Sequence, residues 1–199
     1  LLAVALLAVA VPLHAAGDAG WTHYGGDAGG SHYSPLRLIN RDNVAGLRLA
    51  WEYRTGELDR HPDRKAFASF HATPLLLPRA AGGALAFCTP FNRIIALDPA
   101  TGRERWAFDP QLELGPQGTR YNCRGIAYWA DPAAPAGRAC AHRLFMGTTD
   151  LRLIAVDART GQPCAGFGSD GEVDVGALVR AEADAKAARI GRPANLRFG

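Results

Sequence analysis

The stretch IIALDPATG at residues 94–102 returns 59 residues later as LIAVDARTG at residues 153–161. Each copy is an apolar run that ends in Asp-x-x-Thr-Gly. In such a turn the Asp carboxylate accepts hydrogen bonds from backbone N–H groups, and the glycine adopts a positive φ without steric cost. A strand-and-turn unit that repeats at this spacing is typical of a β-propeller, in which each repeat is one small sheet.

Short apolar runs separated by turn residues surround each copy, as an antiparallel meander requires. The first unit divides into four strands, at residues 73–77, 84–88, 93–97 and 103–108. The second unit repeats the order, at residues 125–129, 143–147, 153–156 and, as a weak last strand, 164–167. The predicted fold class is therefore all-β, a partial β-propeller with about two complete four-stranded blades.

Two further elements flank these units. Residues 47–53 (LRLAWEY) predict a lone outer strand, which would close a ring by completing a blade built largely from the far end of a longer chain. Residues 175–190 are rich in Ala, Glu, Lys and Arg, which predicts a helix between blades. Two units cannot close a propeller, for which about four to eight blades are typical. We therefore expect the chain to be a fragment, in which residues 17–199 form the propeller part.

Residues 1–16 are predicted to be a separate segment, because they are almost wholly apolar up to Leu13 and small residues follow. This composition is typical of the hydrophobic part of a secretory signal peptide, and the end of a transmembrane helix is the alternative. Both interpretations put the remaining residues outside the cytoplasm.

Four cysteines, at positions 88, 123, 140 and 164, are compatible with disulfides in such a compartment. Sequence alone does not choose among their pairings. We prefer Cys123–Cys140, since that bond would close a Pro-, Ala- and Gly-rich excursion, and buried free thiols are the alternative.

Charged residues near the start of each unit predict a binding site. In a propeller the first strand of each blade lines the central channel, so the residues just before it meet at one mouth of that channel. His71 precedes the first strand of one unit, and Arg124 and Arg120 precede that of the other. Such groups suit a small polyanionic ligand, because the planar arginine fork binds carboxylates bidentately. The alternatives are an ordinary loop histidine and surface arginines in salt bridges.

The overall charge gives no sign of a nucleic-acid partner. The formal net charge is +3, and the basic residues are scattered rather than arranged in a stripe with aromatic residues. Nucleic acid is therefore not among the expected partners.

Six segments resemble, in this order, the N-terminal region of quinoprotein dehydrogenases, above all the membrane-associated glucose/quinate-type branch. They are GWTHYGGD at 20–27, YSPL at 33–36, LAWEYRTG at 49–56, ATPL at 72–75, ALDPATGRERW at 96–106 and NCRGIAY at 122–128. The resemblance covers about residues 20–170 and depends on the ordered combination rather than on one motif. It implies an eight-bladed propeller that holds pyrroloquinoline quinone (PQQ) and a calcium or magnesium ion at the channel mouth.

The resemblance also implies an activity. The family oxidises a sugar, polyol or alcohol by hydride transfer to PQQ, and electrons pass to a membrane quinone or a cytochrome. It implies a periplasmic protein, with anchoring to the inner membrane as a further expectation. The catalytic Asp and the metal ligands of the family lie in later blades, so no catalytic or metal-ligating residue is expected here. The alternative is a non-catalytic propeller that serves as a scaffold or ligand-binding protein of the cell envelope.

Three residues correspond to cofactor-lining positions of the family. Arg124 stands where the Arg-Gly-x-Ala-Tyr motif has its cofactor-contacting arginine. His71 stands two residues before Thr-Pro, where many members have Glu, and Arg120 stands where the glucose branch has His. The vicinal Cys-Cys pair of the alcohol-oxidising branch is absent, and only Cys123 is near. We therefore predict Arg124 as the main PQQ-binding residue, with His71 and Arg120 as secondary lining residues.

Overall fold

The computed structural model describes residues 20–190, and its strands form two separate four-stranded antiparallel sheets. The first sheet has the order β1–β2–β3–β4, with bounds Leu75–Leu76, Leu85–Cys88, Ile94–Leu97 and Glu104–Phe108. The second has the order β5–β6–β7–β8, with bounds Ala127–Ala130, His142–Gly147, Arg152–Asp157 and Glu172–Asp174. We call these sheets the first and the second blade. The two predicted four-stranded meanders are confirmed, apart from the position of the last strand of the second.

Helices are short apart from one. The described part contains α1 (Glu57–Arg60), α2 (Val175–Ile190) and the 3-10 helices Val44–Gly46, Pro62–Phe67 and Arg79–Ala81. The predicted helix is confirmed as α2, which begins where the Asp174 carboxylate accepts a hydrogen bond from the Ala177 N–H (2.7 Å). Between residues 20 and 190, no helix combines the length and apolarity that crossing a bilayer requires. The predicted signal or transmembrane segment, residues 1–16, lies outside the described residues.

The central strands β2 and β3 of the first blade are buried on both faces. One face shares a core with the second blade, and that core includes Ile94, Ala96, Leu144, Ile154 and Val156. The other face is covered by the N-terminal segment, where Trp51 and Tyr53 pack on Leu97 of β3 and its neighbours. Successive side chains of a strand point to opposite faces, so β3 contributes to both cores in turn. The first blade therefore has a neighbour on each side, as a propeller blade does.

The two Asp-x-x-Thr-Gly turns have the predicted chemistry. Each Asp carboxylate accepts bonds from its own turn, at 3.0 Å from the N–H groups of Ala100 and Thr101 and at 2.8 and 3.2 Å from those of Arg159 and Thr160. The glycines that end the turns, Gly102 and Gly161, have φ of 70° and 72°. Both turns therefore depend on a left-handed residue for which glycine is suited.

An indole ring covers each turn glycine. A Cβ atom on Gly161 would lie 2.4 Å from the ring of Trp106, and one on Gly102 would lie 2.6 Å from the ring of Trp51. Trp106 belongs to the first blade and Gly161 to the second, so this contact joins the blades. Trp51 takes the same place relative to the first blade that Trp106 takes relative to the second.

The structure corrects two predicted strands. Residues 47–53 form no strand, because no strand of the described part lies beside them; Trp51 is held by its side chain, whose N–H donates to the Pro99 carbonyl (3.2 Å). The second blade ends with Glu172–Asp174 rather than with residues 164–167. Residues 163 and 164 meet β7 only in an isolated bridge, where the Cys164 N–H donates to the Ala155 carbonyl (2.9 Å), and the chain then makes several turns before β8 pairs with β7.

The disulfides are Cys88–Cys123 and Cys140–Cys164, so the preferred pair Cys123–Cys140 is wrong, and no thiol is free between residues 20 and 190. Cys123 and Cys140 lie before and after β5, at opposite ends of that strand, and cannot meet. Cys140 precedes β6, whose first residues pair with the end of β7, and this pairing brings it to the turn that carries Cys164. The bonds span 35 and 24 residues, for which loop closure contributes similar amounts, about 3–4 kcal/mol each.

Candidate functional site

The antiparallel order of the strands gives the pair of blades two distinct ends. The Asp-x-x-Thr-Gly turns lie at one end, which we call the turn end. The chain enters β1 and β5 at the other end, which we call the rim end. The stretches that lead into these strands, residues 67–73 and 119–124, are the rim segments. All three predicted site residues belong to them, namely His71, Arg120 and Arg124.

The rim segments run side by side in the same direction. The Tyr121 N–H donates to the Phe67 carbonyl (2.8 Å), and the Ser69 N–H donates to the Tyr121 carbonyl (3.0 Å). Further along, the Thr73 N–H donates to the Arg124 carbonyl (3.3 Å). These bonds bring together the two stretches that carry the predicted site residues, although about 50 residues separate them along the chain.

Alternation along the second rim segment separates anchored from outward side chains. Tyr121 and Cys123 are 0% and 5% exposed, and the Tyr121 ring packs on that of Phe91 with centroids 4.8 Å apart. Asn122 and Arg124 are exposed. Because an extended chain has a period of two, these two side chains share the outward side. Sequence reasoning missed Asn122, although the alternation Tyr-Asn-Cys-Arg is a signal that could have found it.

The predicted site residues are exposed, and their side chains have no bonding partner in the described part of the chain. The side chains of Arg124, Arg120 and His71 make no hydrogen bond or ion pair with any residue from 20 to 190. By contrast, the Arg93 guanidinium lies 3.0 Å from the buried Glu57 carboxylate. An unpaired arginine presents donors that fit a carboxylate. The donor chemistry of the rim therefore suits an anionic ligand.

The described residues show no comparable arrangement for a metal ion. Among residues 20–190, His, Cys, Asp and Glu form no group of three or more that could hold one.

A polar cavity of about 480 Å³ lies beside the rim segments. Its lining includes Arg60, His61, Phe91 and Arg93. The His61 ring packs on that of Phe91 at 4.1 Å, and Phe91 in turn packs on Tyr121. The stack of His61, Phe91 and Tyr121 therefore packs against the second rim segment through its buried tyrosine.

An apolar groove of about 450 Å³ runs along the face of the first blade that is turned away from the second. Trp51, Tyr53 and Phe87 line it, and Phe70 of the first rim segment reaches its edge. Burial, together with a hydrogen bond from the Tyr53 hydroxyl to the Glu104 carboxylate, raises the pKa of Tyr53 to about 12.

Comparison with known proteins assigns the chain to a family. The family model "PQQ: Glucose/ethanol/alcohol dehydrogenase, beta-propeller domain" matches residues 21–196. Quinoprotein glucose dehydrogenase A of Acinetobacter calcoaceticus is 36% identical over 179 residues, which cover 84% of this chain and 22% of that protein. The glycerol dehydrogenase large subunit of Gluconobacter thailandicus is 37% identical over 161 residues, which cover 81% of this chain and 21% of that protein. The chain thus spans about a fifth of the length of these curated relatives.

The fold is also found in solved structures. The structure of a quinohemoprotein alcohol dehydrogenase from Pseudomonas putida HK5 matches with a TM-score of 0.56 at 27% identity. The match covers 80% of this chain and 19% of that one.

Proposed function

The chain belongs to the PQQ-dependent glucose/ethanol/alcohol dehydrogenase family with a β-propeller domain, and we propose that it is the N-terminal part of the cofactor-binding propeller of a quinoprotein dehydrogenase. The proposed substrate class is a sugar, polyol or alcohol, with a membrane quinone or a cytochrome as electron acceptor. Similarity to proteins named for glucose and glycerol supports this class.

The observation that carries the proposal is the unpaired cationic character of the rim segments. When bound, PQQ supplies the quinone that accepts a hydride from the substrate. It also carries carboxylate groups, and Arg124 would bind one of these, or a quinone oxygen, through its planar guanidinium. His71 and Arg120 would line the same site as secondary contacts.

This chain's own residues would bind and orient the cofactor rather than move protons. His71 replaces a Glu that many family members place before Thr-Pro. An imidazole can donate a hydrogen bond where a carboxylate only accepts, so the hydrogen bonding around the cofactor would differ from that of those members. The catalytic Asp and the ligands of the calcium or magnesium ion would come from other blades.

We extend the proposal to closure of an eight-bladed ring. The groove-bearing face of the first blade is apolar, and Trp51 covers Gly102 as Trp106 covers Gly161. Residues 47–53, which form no strand within residues 20–190, would therefore pack beside a preceding blade whose strands would come from the far end of the full-length protein. That blade would fill the apolar groove.

We propose a periplasmic location, for which residues 1–16 would supply either a signal peptide or the end of a membrane anchor. The two disulfides favour an oxidising compartment. Fractionation of cells that express the full-length protein tests this proposal, and recovery from the cytosol would contradict it. Resistance of the membrane-bound fraction to high salt would distinguish an anchor from a cleaved signal.

Reconstitution of the full-length protein with PQQ and calcium or magnesium tests the function directly. We expect saturable PQQ binding and reduction of an artificial dye with at least one member of a panel of sugars, polyols and alcohols. Absence of PQQ binding would overturn the proposal and favour the non-catalytic scaffold. Binding without oxidation of any panel member would overturn the substrate class but not the cofactor.

A further inference from the structure

The residue directly before Arg124 is held by a covalent bond to the first blade. Cys123 is 5% exposed and is joined to Cys88, the last residue of β2. Cys88 is fully buried, and the turn that follows it is closed by hydrogen bonds between Thr89 and Arg93. The disulfide therefore links the rim segment to a rigid point of the blade.

Other restraints on the backbone of Arg124 are few. Its carbonyl accepts one bond, from the Thr73 N–H at 3.3 Å, which is long for an N–H···O bond. The next buried residue is Ile126, and β5 begins only at Ala127. The Cys123 side chain is thus the nearest firm anchor of Arg124.

On the basis of the proposed function, we infer that the Cys88–Cys123 disulfide is a positioning device for Arg124. It holds the backbone so that the guanidinium meets the anionic cofactor from a fixed point. Ordering a long side chain on binding costs conformational entropy, and a fixed backbone lowers that cost. Lower backbone mobility at Cys123 should therefore strengthen the binding of PQQ.

The second disulfide provides a matched control within the same chain. Cys140–Cys164 closes a loop of similar length, so its loss should weaken the fold to a similar degree. It lies at the turn end of the second blade and does not belong to a rim segment. Any effect that appears only after loss of Cys88–Cys123 is therefore local to the rim.

The test compares Cys88→Ala/Cys123→Ala with Cys140→Ala/Cys164→Ala in the full-length protein. In the PQQ-free state, we expect faster backbone hydrogen exchange in residues 119–124 for the first pair only. With PQQ, we expect the dissociation constant to rise about tenfold for the first pair and to stay within about twofold for the second. Equal exchange and equal affinity in the two variants would overturn the inference.

A double-mutant cycle asks whether the disulfide acts through Arg124. In an Arg124→Ala background, removal of Cys88–Cys123 should change PQQ affinity by less than about twofold, because no arginine remains to be positioned. Additive losses would show that the disulfide acts independently of Arg124 and would contradict the inference.

Failure of the inference can be told apart from failure of the proposed function. If the wild-type protein does not bind PQQ, the proposed function is wrong. If it binds PQQ and the two cysteine-pair variants bind equally well, only the positioning role is wrong. If the Ala pair does not fold, Cys88→Ser/Cys123→Ser takes its place, and unchanged hydrogen exchange at residues 119–124 again overturns the inference.

Discussion

The turn end and the rim end of the same two blades differ in how their polar groups are used. At the turn end, each Asp carboxylate is bonded within its own turn and each turn glycine lies under an indole ring. At the rim end, Arg124 and His71 project from an anchored backbone, and neither side chain has a partner within residues 20–190. The comparison indicates that the Asp carboxylates of the turn end serve the fold, whereas Arg124 and His71 of the rim end are the residues for which we propose a ligand.

The largest effect is expected from Gly161→Ala, which would break the turn end. Its φ of 72° disfavours a side chain, and the new Cβ would lie 2.4 Å from the Trp106 ring, so the indole must move. We expect the free energy of unfolding to fall by about 2–4 kcal/mol, measured by urea denaturation.

Gly137→Ala is the matched control, because Gly137 has a φ of 79° and a Cβ added there would meet no atom of the described residues within 4 Å. The free energy of unfolding of Gly137→Ala should fall only by the cost of placing alanine in a left-handed backbone conformation, about 1–2 kcal/mol. Equal losses in the two variants would show that the contact between Trp106 and Gly161 does not hold the blades together.

Unlike Gly161→Ala, the rim-end variant Arg124→Ala should weaken PQQ binding and change the stability of the fold little. A hydrogen bond to a charged group contributes about 1.5–3 kcal/mol, so we expect PQQ affinity to fall about 10- to 100-fold. The unfolding free energy should change by less than about 0.5 kcal/mol, as for other exposed residues. Arg103→Ala, at an exposed arginine of the turn end, should leave affinity unchanged. PQQ affinity is measured by titration. Equal PQQ affinities of the two variants would show that Arg124 does not bind the cofactor.

The stability of the fold should fall in acid over a pH range that depends on the turn-end residue Asp98. A hydrogen bond from Arg105, at 2.7 Å, and one from Thr101 hold the pKa of Asp98 at about 2, below its ordinary value of 3.8. Because the pKa is lower in the folded state, the ionised carboxylate stabilises the fold above about pH 4, and this contribution is lost as the pH falls toward 2. Urea midpoints measured across that range should fall less steeply for Asp98→Asn. A slope identical to wild type would show that Asp98 contributes nothing to acid sensitivity.

The smallest effect is expected at Tyr53, where the N-terminal segment meets the start of β4. Its pKa is raised to about 12 from 10.0, so the neutral phenol stabilises the fold below about pH 10, and this contribution is lost as the pH rises toward 12. Ultraviolet titration of phenolate absorbance should show a late-titrating group that disappears in Tyr53→Phe. The control Tyr33→Phe, at an exposed tyrosine, should keep the late-titrating group. If that group disappears in Tyr33→Phe, the late titration belongs to Tyr33 and not to Tyr53.

Local signals explain which parts of the fold could be predicted. The strands around β3 and the helix α2 were predictable because apolar periodicity and helix propensity act over a few residues. The last strand of the second blade was not, because residues 163 and 164 make only an isolated bridge with β7, and continuous pairing starts at Glu172 after a series of turns. Residues 47–53 resemble a strand in composition, but a strand also needs a neighbour, which the described residues do not provide.

The candidate site was predictable in its location and less so in its details. Equivalent positions of a repeat occupy equivalent places, so His71 and Arg124 could be assigned to one end of the blades from their distance to β1 and β5. Their roles toward PQQ stay predictions. Asn122 was missed although the alternation Tyr-Asn-Cys-Arg predicts its outward direction, which the burial of Tyr121 and Cys123 confirms.

The repeated four-stranded unit, the two Asp-x-x-Thr-Gly turns and the resemblance to quinoprotein dehydrogenases follow from the residues alone, because each depends on neighbouring residues or on ordered motifs. Three-dimensional packing was needed to pair Cys88 with Cys123 and to place Trp106 over Gly161 of the next blade. Those contacts join residues far apart in the chain, and their geometry is set by how one sheet packs against the next.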